Sequence, residues 1–434
     1  MWRSRTSNSG KTRCAGVEDN AFYIDATRGL RITYAQLQRE VAELEDLPTV
    51  VAFEDCYGLF KTLLATMVRN ATLVLVDRKE DHVEAVAWMA ELAAQAPYPR
   101  PLSPEYRGDG ELNGVCEVNR LLNSSACRVG LFTSGTTGKA KLVFHTLHSL
   151  TRAIRVGEAH RQAVWGLAYH PAHFAGLQVF FQALANRNTI VRLFGLDTEQ
   201  MHGAIEEQAI SHLSATPTML RLLVSDGRVH ASVQRVALGG ERADADLLSK
   251  LKRTFPQAKF RNIYASTEVG SVLASDGELF RVPERYHHLI KIVDGELAVH
   301  RSLLADSLRA ACIDDFYLTG DCVEVVEIEP LAFRFMSRRS DFINVGGYKV
   351  DPQEVEELLN GMPEVHEAAV YGKANSVTGN LVCCDLVLRE GKQLSVREVI
   401  TRLSSSLPNY KIPRMVRVVP RLAVTPTGKR VRPS

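Results

Sequence analysis

The chain has 434 residues, of which 45% are apolar and 24% are charged, and its formal net charge is +2. This length suits two or three packed units, and the composition is that of an ordinary globular protein. A net charge this small would not attract nucleic acid, so we do not expect nucleic-acid binding. No apolar run approaches the length of a bilayer span, so we do not expect membrane insertion.

The first 20 residues are basic and rich in Ser and Thr but lack an apolar stretch, so they predict a flexible leader and not a secretory signal. From there to about residue 330, strand-like apolar runs alternate with helical patterns, which predicts parallel sheets with crossover helices. Predicted strands include Thr49 to Phe53, Thr72 to Val76, Val164 to Tyr169, Thr189 to Leu193 and Val233 to Leu238. Thr216 and Pro217 form a cap and first turn for a helix through Val224.

After residue 340 the pattern changes to a small α+β unit. Asp351-Pro352 starts a helix to Leu359, and Ser395 with Glu398 forms a capping box for a helix to Ser405. Strands are predicted from Glu367 to Tyr371 and from Leu381 to Leu388. The boundary falls near Arg339, which divides the chain into a leader at 1–20, a large domain at 21–339 and a small domain at 340–434.

A cluster of hydroxyls and glycines interrupts the apolar run that ends at Phe132. It comprises Thr133, Ser134, Gly135, Thr136, Thr137 and Gly138, followed by Lys139 and Lys141. Glycines allow a tight turn close to a ligand, while hydroxyls and main-chain N–H groups bind an anion. The sequence therefore predicts a phosphate-binding loop, although its spacing is not the Gly-x-x-x-x-Gly-Lys-Ser/Thr of the P-loop.

Further motifs follow this loop in order. They are Tyr264-Ala265-Ser266-Thr267-Glu268, Thr319-Gly320-Asp321, the segment from Ser337 to Val350 and Pro426-Thr427-Gly428-Lys429. Together they resemble the signatures of the adenylate-forming enzymes, the superfamily of acyl-CoA synthetases, peptide-synthetase adenylation domains and luciferases. The resemblance runs from about Phe22 to Arg432 and is closest to compact aryl- or acyl-CoA ligases.

This resemblance implies an α/β fold. A large N-terminal domain of two Rossmann-like sheet-and-helix halves and a small β-barrel would precede a small, mobile α+β C-terminal domain. It also implies an ATP-dependent carboxylic acid–thiol ligase that uses Mg²⁺. The acid attacks the α-phosphorus of ATP, pyrophosphate leaves, and a thiol captures the acyl-adenylate and releases AMP.

The resemblance assigns phosphate and metal contacts to particular residues. The loop from Thr133 to Gly138, with Lys141, would hold the β- and γ-phosphates. Thr267 would donate to the α-phosphate, and Glu268 would hold Mg²⁺, a hard cation that prefers oxygen ligands. Lys429 would bridge the substrate carboxylate and the α-phosphate.

The nucleoside contacts are assigned in the same way. The ring of Tyr264 would stack on adenine, Asp321 would accept hydrogen bonds from both ribose hydroxyls, and Arg338 would reach the ribose or the phosphate. Taken singly, Asp321 would more often be a turn residue and Lys429 a surface lysine. Their place in an ordered set of motifs favours the functional interpretation.

The segment from Tyr169 to Gly176 resembles the part of acyl- and aryl-CoA ligases that lines the carboxylate pocket. His173 would face this pocket, with a core or loop histidine as the alternative. Amino-acid-activating domains place an aspartate here, but no acid lies between Gly166 and Leu196, which argues against an amino-acid substrate.

Gly239 and Gly240 would form a pocket floor that admits a flat or narrow acyl group, and Ala265, which replaces the usual glycine, would narrow it. Gly347 would line the tunnel for the thiol. Ser340 replaces the usual hinge aspartate at the start of the small C-terminal domain, which would act as a mobile lid.

Two acceptors and one non-enzymatic function are consistent with these motifs. Coenzyme A is the first acceptor, for an aryl or short acyl acid, and the phosphopantetheine arm of an acyl carrier protein is the alternative. A catalytically silent ATP-binding regulator is disfavoured because Glu268 and Lys429 are retained. The eight scattered cysteines read as reduced thiols of a cytoplasmic enzyme. A homodimer is one option for its assembly.

Overall fold

The computed structural model describes residues 20–77, 127–134, 140–241, 243, 245–375 and 379–422. Residues 1–19 of the predicted leader, the loop residues Gly135 to Gly138 and the motif residue Lys429 lie outside these ranges. Within the described ranges, no helix is long and apolar enough to cross a membrane.

The largest sheet has eight strands in the order β12-β11-β10-β9-β7-β8-β1-β2. Its strands are β1 (Ala21–Asp25), β2 (Leu30–Thr33), β7 (Val164–Leu167), β8 (Thr189–Arg192), β9 (His212–Ala215), β10 (Arg235–Gly239), β11 (Lys259–Ser266) and β12 (Gly270–Ser275). The six inner strands are parallel, and β2 and β12 are antiparallel edges. Parallel neighbours end at the same edge, which is where open α/β sheets bind ligands.

A second sheet has four strands in the order β3-β4-β5-β6. They are β3 (Val50–Ala52), β4 (Thr72–Val76), β5 (Arg128–Ser134) and β6 (Ala140–Thr146). The first three are parallel, and β6 returns antiparallel to β5, with Ser134 opposite Ala140. The predicted phosphate-binding loop therefore connects the two strands of a hairpin.

Helices cover and separate these sheets. They are α1 (Tyr34–Glu43), α2 (Cys56–Val68), α3 (Leu147–Thr151), α4 (Phe174–Asn186), α5 (Thr198–Glu207), α6 (Pro217–Leu223) and α7 (Ala245–Thr254). Helix α4 is apolar on almost all sides, as expected for a helix with protein around it. Its Phe180 stacks on Phe60 of α2, with ring centroids 4.7 Å apart. One core thus joins both sheets through α4, whose first turn follows His173.

A third, antiparallel sheet has the order β13-β17-β16-β15-β14. It consists of β13 (Leu279–Arg281), β14 (Ile290–Val293), β15 (Glu296–His300), β16 (Phe316–Ile328) and β17 (Leu331–Arg338). This sheet lies where the small β-barrel is predicted. It carries Asp321 on β16 and Arg338 on β17, which face each other across the ladder.

The C-terminal unit has its own core around a five-stranded sheet. It comprises β18 (Ile343–Val345), β19 (Tyr348–Val350), α8 (Pro352–Asn360), β20 (Val365–Asn375), β21 (Gly379–Leu388), α9 (Val396–Ser404) and β22 (Met415–Val418). The predicted caps are present: Asp351 accepts from the N–H of Gln353, and Ser395 and Glu398 form the capping box.

Element ends differ from the predictions where pairing extends or shortens a strand. Strand β20 runs from Val365 to Asn375, because it pairs with β21 along its whole length. Strand β10 starts at Arg235, later than the predicted Val233, because the Val233 N–H donates to the carbonyl of His230 in a turn. The division of the chain at residues 339 and 340 stays a prediction.

Candidate active site

The motif residues meet at the carboxyl ends of β10 and β11. Gly239, the last residue of β10, lies opposite Ile263 in the parallel ladder, so Gly240 follows β10 at the edge where Tyr264 lies on β11. Beyond β11, the turn from Ser266 to Gly270 carries Thr267 and Glu268. The glycines at the end of β10 and the motif from Tyr264 to Glu268 thus converge on one edge of the largest sheet.

Asp321 is the centre of a hydrogen-bonded cluster at this edge. The Tyr264 hydroxyl donates to its Oδ2 at 2.7 Å, and Arg338 Nε donates to its Oδ1 at 2.9 Å. Asp321 is only 8% exposed. The ring of Tyr264 stacks on Phe335 at 4.3 Å between centroids. One face of Tyr264 is therefore packed against protein, and each Asp321 oxygen retains a second lone pair for a further donor.

The Thr-Gly-Asp motif is locally shaped to present this carboxylate. The Asp321 N–H donates to Thr319 Oγ1 at 3.1 Å, and Gly320 adopts a φ of 79°, which glycine reaches without strain. The buried Glu296 accepts the Gly320 N–H at 2.7 Å and Arg339 Nε at 2.7 Å. Glu296 was not singled out from the sequence, since only the fold brings it beside the motif.

Glu268 belongs to the same electrostatic neighbourhood. Burial, followed by Asp321, raises the pKa of Tyr264 well above its usual value. Burial alone would lower the pKa of Arg338, but Asp321 and then Glu268 outweigh it and raise that pKa. Burial raises the pKa of Tyr317, and Glu268 adds to this effect. Arg338 is thus a permanent cation that pairs with Asp321 and is stabilised by the charge of Glu268.

Hydrogen bonds to its main-chain groups hold the turn that carries Thr267 and Glu268. The Val269 N–H donates to Ser266 Oγ at 3.2 Å, and the Ala305 N–H donates to the Glu268 carbonyl at 2.9 Å. Arg152 donates to the carbonyl of Val269 from behind. No group of three or more His, Cys, Asp or Glu side chains that could hold a metal occurs among the described residues.

The predicted phosphate contacts are described only in part. Thr133 and Ser134 end strand β5, and the exposed Lys141 lies opposite Thr133 on β6. Gly135, Thr136, Thr137 and Gly138 lie outside the described residues, as does Lys429. Their predicted roles stay predictions.

His173 has a carboxylate partner that the sequence analysis missed. Its Nε2 lies 3.3 Å from Oδ2 of Asp77, the residue that follows β4. The sequence prediction against an amino-acid substrate counted acids only between Gly166 and Leu196, and the fold adds Asp77 from outside that segment. The exclusion of an amino-acid substrate stays a prediction. Its position directly after a buried strand was the only sequence feature that could have marked Asp77.

An aromatic cluster packs behind this pair. The ring of His170 lies 4.6 Å from that of His173, 4.5 Å from Phe53 and 4.8 Å from Phe194. Burial lowers the pKa of His170 to about 4, so this ring is neutral at physiological pH. The pair of His173 and Asp77 therefore has a largely apolar wall on one side.

The predicted pocket floor is more closely packed than expected. The Tyr169 hydroxyl donates to the Gly239 carbonyl at 3.1 Å, and a Cβ at Gly239 would lie 3.3 Å from that hydroxyl. The absent side chain of Gly239 thus makes room for Tyr169. Glu241 Oε2 accepts the N–H and hydroxyl of Thr218 in the first turn of α6, at 3.0 and 2.7 Å. Ala265 is half-buried at the end of β11.

Gly347 does not show the crowding that was expected of a tunnel. A Cβ at this position would meet no atom within 4 Å, but φ is 59° at Gly346 and 90° at Gly347. The two glycines form the two-residue turn between β18 and β19, which requires positive φ at both positions. In this arrangement the backbone conformation of the turn explains why both positions are glycine. Ser340 is exposed and donates to Asp341.

Comparison with known proteins shows which family shares these features. A model of the AMP-binding enzyme family matches residues 71–292, and a model of the AMP-binding enzyme C-terminal domain matches residues 354–429. A 2-succinylbenzoate–CoA ligase of Listeria monocytogenes is 26% identical over 447 residues, covering 97% of this chain and 90% of that protein. The Bacillus subtilis protein of the same name is 28% identical over 347 residues, covering 73% and 70%.

Solved structures share the fold over nearly the whole chain. The o-succinylbenzoate CoA synthetase of Bacillus subtilis, in complex with its acyl-adenylate intermediate, has a TM-score of 0.68 at 21% identity and covers 95% of this chain and 94% of that one. ATP-bound MatB from Rhodopseudomonas palustris has a TM-score of 0.71 at 19% identity, with the same coverage.

Proposed function

Because the chain belongs to the AMP-binding enzyme family, we propose that it joins a carboxylic acid to coenzyme A at the expense of ATP, through an acyl-adenylate. The family models confirm the predicted adenylate-forming superfamily and the predicted enzyme class. The similar structures confirm the predicted α/β fold, with its large N-terminal and small C-terminal parts.

The observation that carries the proposal is the cluster of Tyr264, Asp321 and Arg338 beside Glu268. A buried carboxylate with a free lone pair on each oxygen suits the vicinal hydroxyls of a ribose. The fixed charge of Arg338 suits an adjacent phosphate or developing negative charge. The carboxylate of Asp321, the guanidinium of Arg338 and the ring of Tyr264 together match a nucleoside phosphate better than they match a wholly apolar ligand.

Magnesium fits the same edge. Glu268 offers a hard carboxylate oxygen, and Mg²⁺ is typically bound by one or two carboxylates together with phosphates and water. When bound, the cation would neutralise phosphate charge and help pyrophosphate to leave. Thr267 would place a hydroxyl donor beside the α-phosphate, on the turn held by Ser266, Ala305 and Arg152.

Adenylate formation brings together two anions, the substrate carboxylate and the phosphates of ATP. Side chains of the protein would neutralise their charge and align the reacting groups. An oxygen of the substrate carboxylate bonds to the α-phosphorus while the bond to the bridging oxygen of pyrophosphate breaks. Lys429 would bridge the two reacting groups in this step. A thiol sulphur then attacks the acyl carbon, its proton passes to solvent, and AMP leaves.

The acid is proposed to be aryl or short acyl. The relatives carry the name 2-succinylbenzoate–CoA ligase, which makes 2-succinylbenzoate the first acid to test. The apolar rings of Phe53 and Phe194 around His170 favour a flat hydrophobic group near the pair of His173 and Asp77. The acceptor is proposed to be CoA, and a carrier-protein thiol is the competing outcome.

The test is product analysis with purified protein. ATP, Mg²⁺ and CoA are incubated with 2-succinylbenzoate, benzoate, malonate or a medium-chain fatty acid, and AMP and the acyl thioester are quantified by mass spectrometry. We expect stoichiometric AMP and aryl-CoA. The protein could instead form acyl-adenylate but no CoA thioester, and load a phosphopantetheinylated carrier. That result would identify the carrier protein, and not CoA, as the acceptor. ADP as the product would contradict the adenylate mechanism.

A further inference from the structure

We propose that Arg152 is a positioning residue for adenylate formation, because its guanidinium ties the turn of Thr267 and Glu268 to a neighbouring buried segment. This inference rests on the proposed function, since that turn is the one assigned to the α-phosphate and the metal. Arg152 follows the last residue of α3 and is 117 residues from Val269 in sequence, so only the fold brings the two together.

One nitrogen of this guanidinium bridges two main-chain carbonyls. Arg152 Nη2 donates to the carbonyl of Val269, the residue that follows Glu268. It also donates to the carbonyl of Leu303 at 3.0 Å. A guanidinium NH₂ group carries two hydrogens, so both hydrogens of Nη2 are used. Arg152 therefore joins the end of the proposed catalytic turn to a segment from another part of the chain.

A direct hydrogen bond links the same two segments. The Ala305 N–H donates to the Glu268 carbonyl at 2.9 Å. Leu303 and Ala305 are 5% and 1% exposed, so the segment that supports the turn is itself packed in the core. Two successive carbonyls, those of Glu268 and Val269, are thus held by one buried segment. The first is held directly and the second through Arg152.

The residue after Val269 leaves room for the guanidinium. Gly270 has a φ of 75°, and a Cβ at this position would lie 2.8 Å from Arg152 Nη2, closer than packed atoms approach. The same Cβ would lie 3.5 Å from the ring of Phe174 and 3.5 Å from the Ser149 carbonyl, which are ordinary contact distances. A side chain at position 270 would therefore have to displace the guanidinium.

Packing alone does not explain an arginine at this position. Arg152 is half-buried, and burial lowers its pKa, while the nearby Tyr286 opposes this change. Burying a cation is unfavourable unless its donors are satisfied, so an apolar side chain would fill the same space more favourably. The two carbonyl bonds explain the guanidinium. By fixing the main chain beside Glu268, they keep the side chains of Thr267 and Glu268 in place for phosphate and metal.

The first test compares two substitutions of Arg152. Methionine keeps an unbranched stem but cannot donate, whereas lysine keeps the charge and ends one bond short of Nη2. We expect Arg152→Met to slow acid-dependent pyrophosphate exchange by about 10- to 100-fold, the scale for misplacing a reacting group by an ångström. Arg152→Lys should lie between this variant and wild type, and exposed Arg155→Met is the matched control.

The magnesium dependence separates positioning from a merely structural role. In Arg152→Met the Mg²⁺ concentration for half-maximal exchange should rise, because Glu268 is misplaced, while the KM for the acid changes little. Partial unfolding would lower the rate through loss of active protein, but it would leave the half-maximal Mg²⁺ concentration unchanged.

A pair of glycine substitutions tests the contact itself. Gly270→Ala should displace the guanidinium and reproduce the slow exchange of Arg152→Met. Gly227→Ala is the matched control, since φ is 76° there and a Cβ would lie within 4 Å of no atom of the described residues. In the Arg152→Met background, Gly270→Ala should lower the melting temperature no more than Gly227→Ala does.

Wild-type exchange and magnesium dependence in a folded Arg152→Met protein would overturn the proposal, as would an Arg152→Lys protein that is as slow as Arg152→Met. If Arg152→Met does not fold, Gly270→Ala alone provides the test, and exchange as fast as that of Gly227→Ala would refute the proposal. Failure of the wild-type protein to exchange pyrophosphate with any acid would instead count against the proposed function. Melting temperatures would still test the contact, and equal falls in Gly270→Ala and Gly227→Ala would contradict it.

Discussion

Asp321→Asn is the sharpest perturbation of the proposed nucleotide site. The side chain accepts from the Tyr264 hydroxyl at 2.7 Å and from Arg338 Nε at 2.9 Å. Asparagine has nearly the same shape but only one acceptor atom and no charge. One of the two donors must then face an NH₂ group, and the ribose loses an anionic acceptor.

The magnitude follows from these contacts. A hydrogen bond to a charged group contributes about 1.5–3 kcal/mol, which corresponds to roughly 10- to 150-fold in affinity. We expect the KM for ATP in pyrophosphate exchange to rise within this range, while the KM for the acid changes little. Most of the protein core is untouched, so the melting temperature should fall by only a few degrees.

The assay compares the variant with Asp276→Asn, an exposed aspartate paired with Arg261 at 3.2 Å, which should behave as wild type. An unchanged KM for ATP in a folded Asp321→Asn protein would refute the assignment of Asp321 to the nucleotide. Higher KM values for both ATP and the acid, together with a large fall in melting temperature, would identify Asp321 as structural.

Further predictions concern the metal, the lid, the acid and pH. Glu268→Gln should raise the Mg²⁺ concentration for half-maximal activity, because it removes the ligand charge and keeps its size; unchanged magnesium dependence would assign the metal elsewhere. Lys429→Ala should slow adenylate formation by about 10²-fold or more and spare thioester formation from pre-made acyl-adenylate; equal losses would contradict its assignment to the first step. Asp77→Asn should raise the KM for the acid by about 10-fold, the scale of one charge-assisted hydrogen bond, without changing that for ATP; an altered KM for ATP alone would place Asp77 elsewhere. Burial lowers the pKa of both His170 and His212 to about 4, so unfolding binds protons below pH 6.5 and stability falls on acidification. Urea unfolding should show a loss of about 1–2 kcal/mol in total between pH 7 and pH 5, after allowance for partial exposure, and a midpoint that is constant or higher at pH 5 would contradict this.

Local chemistry explains what the sequence alone could predict. The helix starts at Thr216-Pro217, Asp351-Pro352 and Ser395 depend on contacts within a few residues, and all three are found in the structure. The order of the motifs identified the family for the same reason, since each motif is a short segment with its own turn.

Long-range packing explains what was missed. Asp77 and His173 are 96 residues apart, and nothing in either segment indicates that β4 and the start of α4 meet. Gly347 was assigned to the thiol tunnel from its motif. The positive φ of a tight turn also requires glycine at this position, and the sequence does not distinguish the two reasons.

The central claim is that this chain forms an acyl-adenylate, and acid-dependent ATP–pyrophosphate exchange tests it most directly. Wild-type protein is incubated with ATP, Mg²⁺, labelled pyrophosphate and 2-succinylbenzoate or another acid from the panel, in the absence of any thiol. We predict that label enters ATP only when an accepted acid is present, and that acyl-AMP is recovered from the protein. Absence of exchange with every acid, despite ATP binding and an intact fold, would contradict the claim.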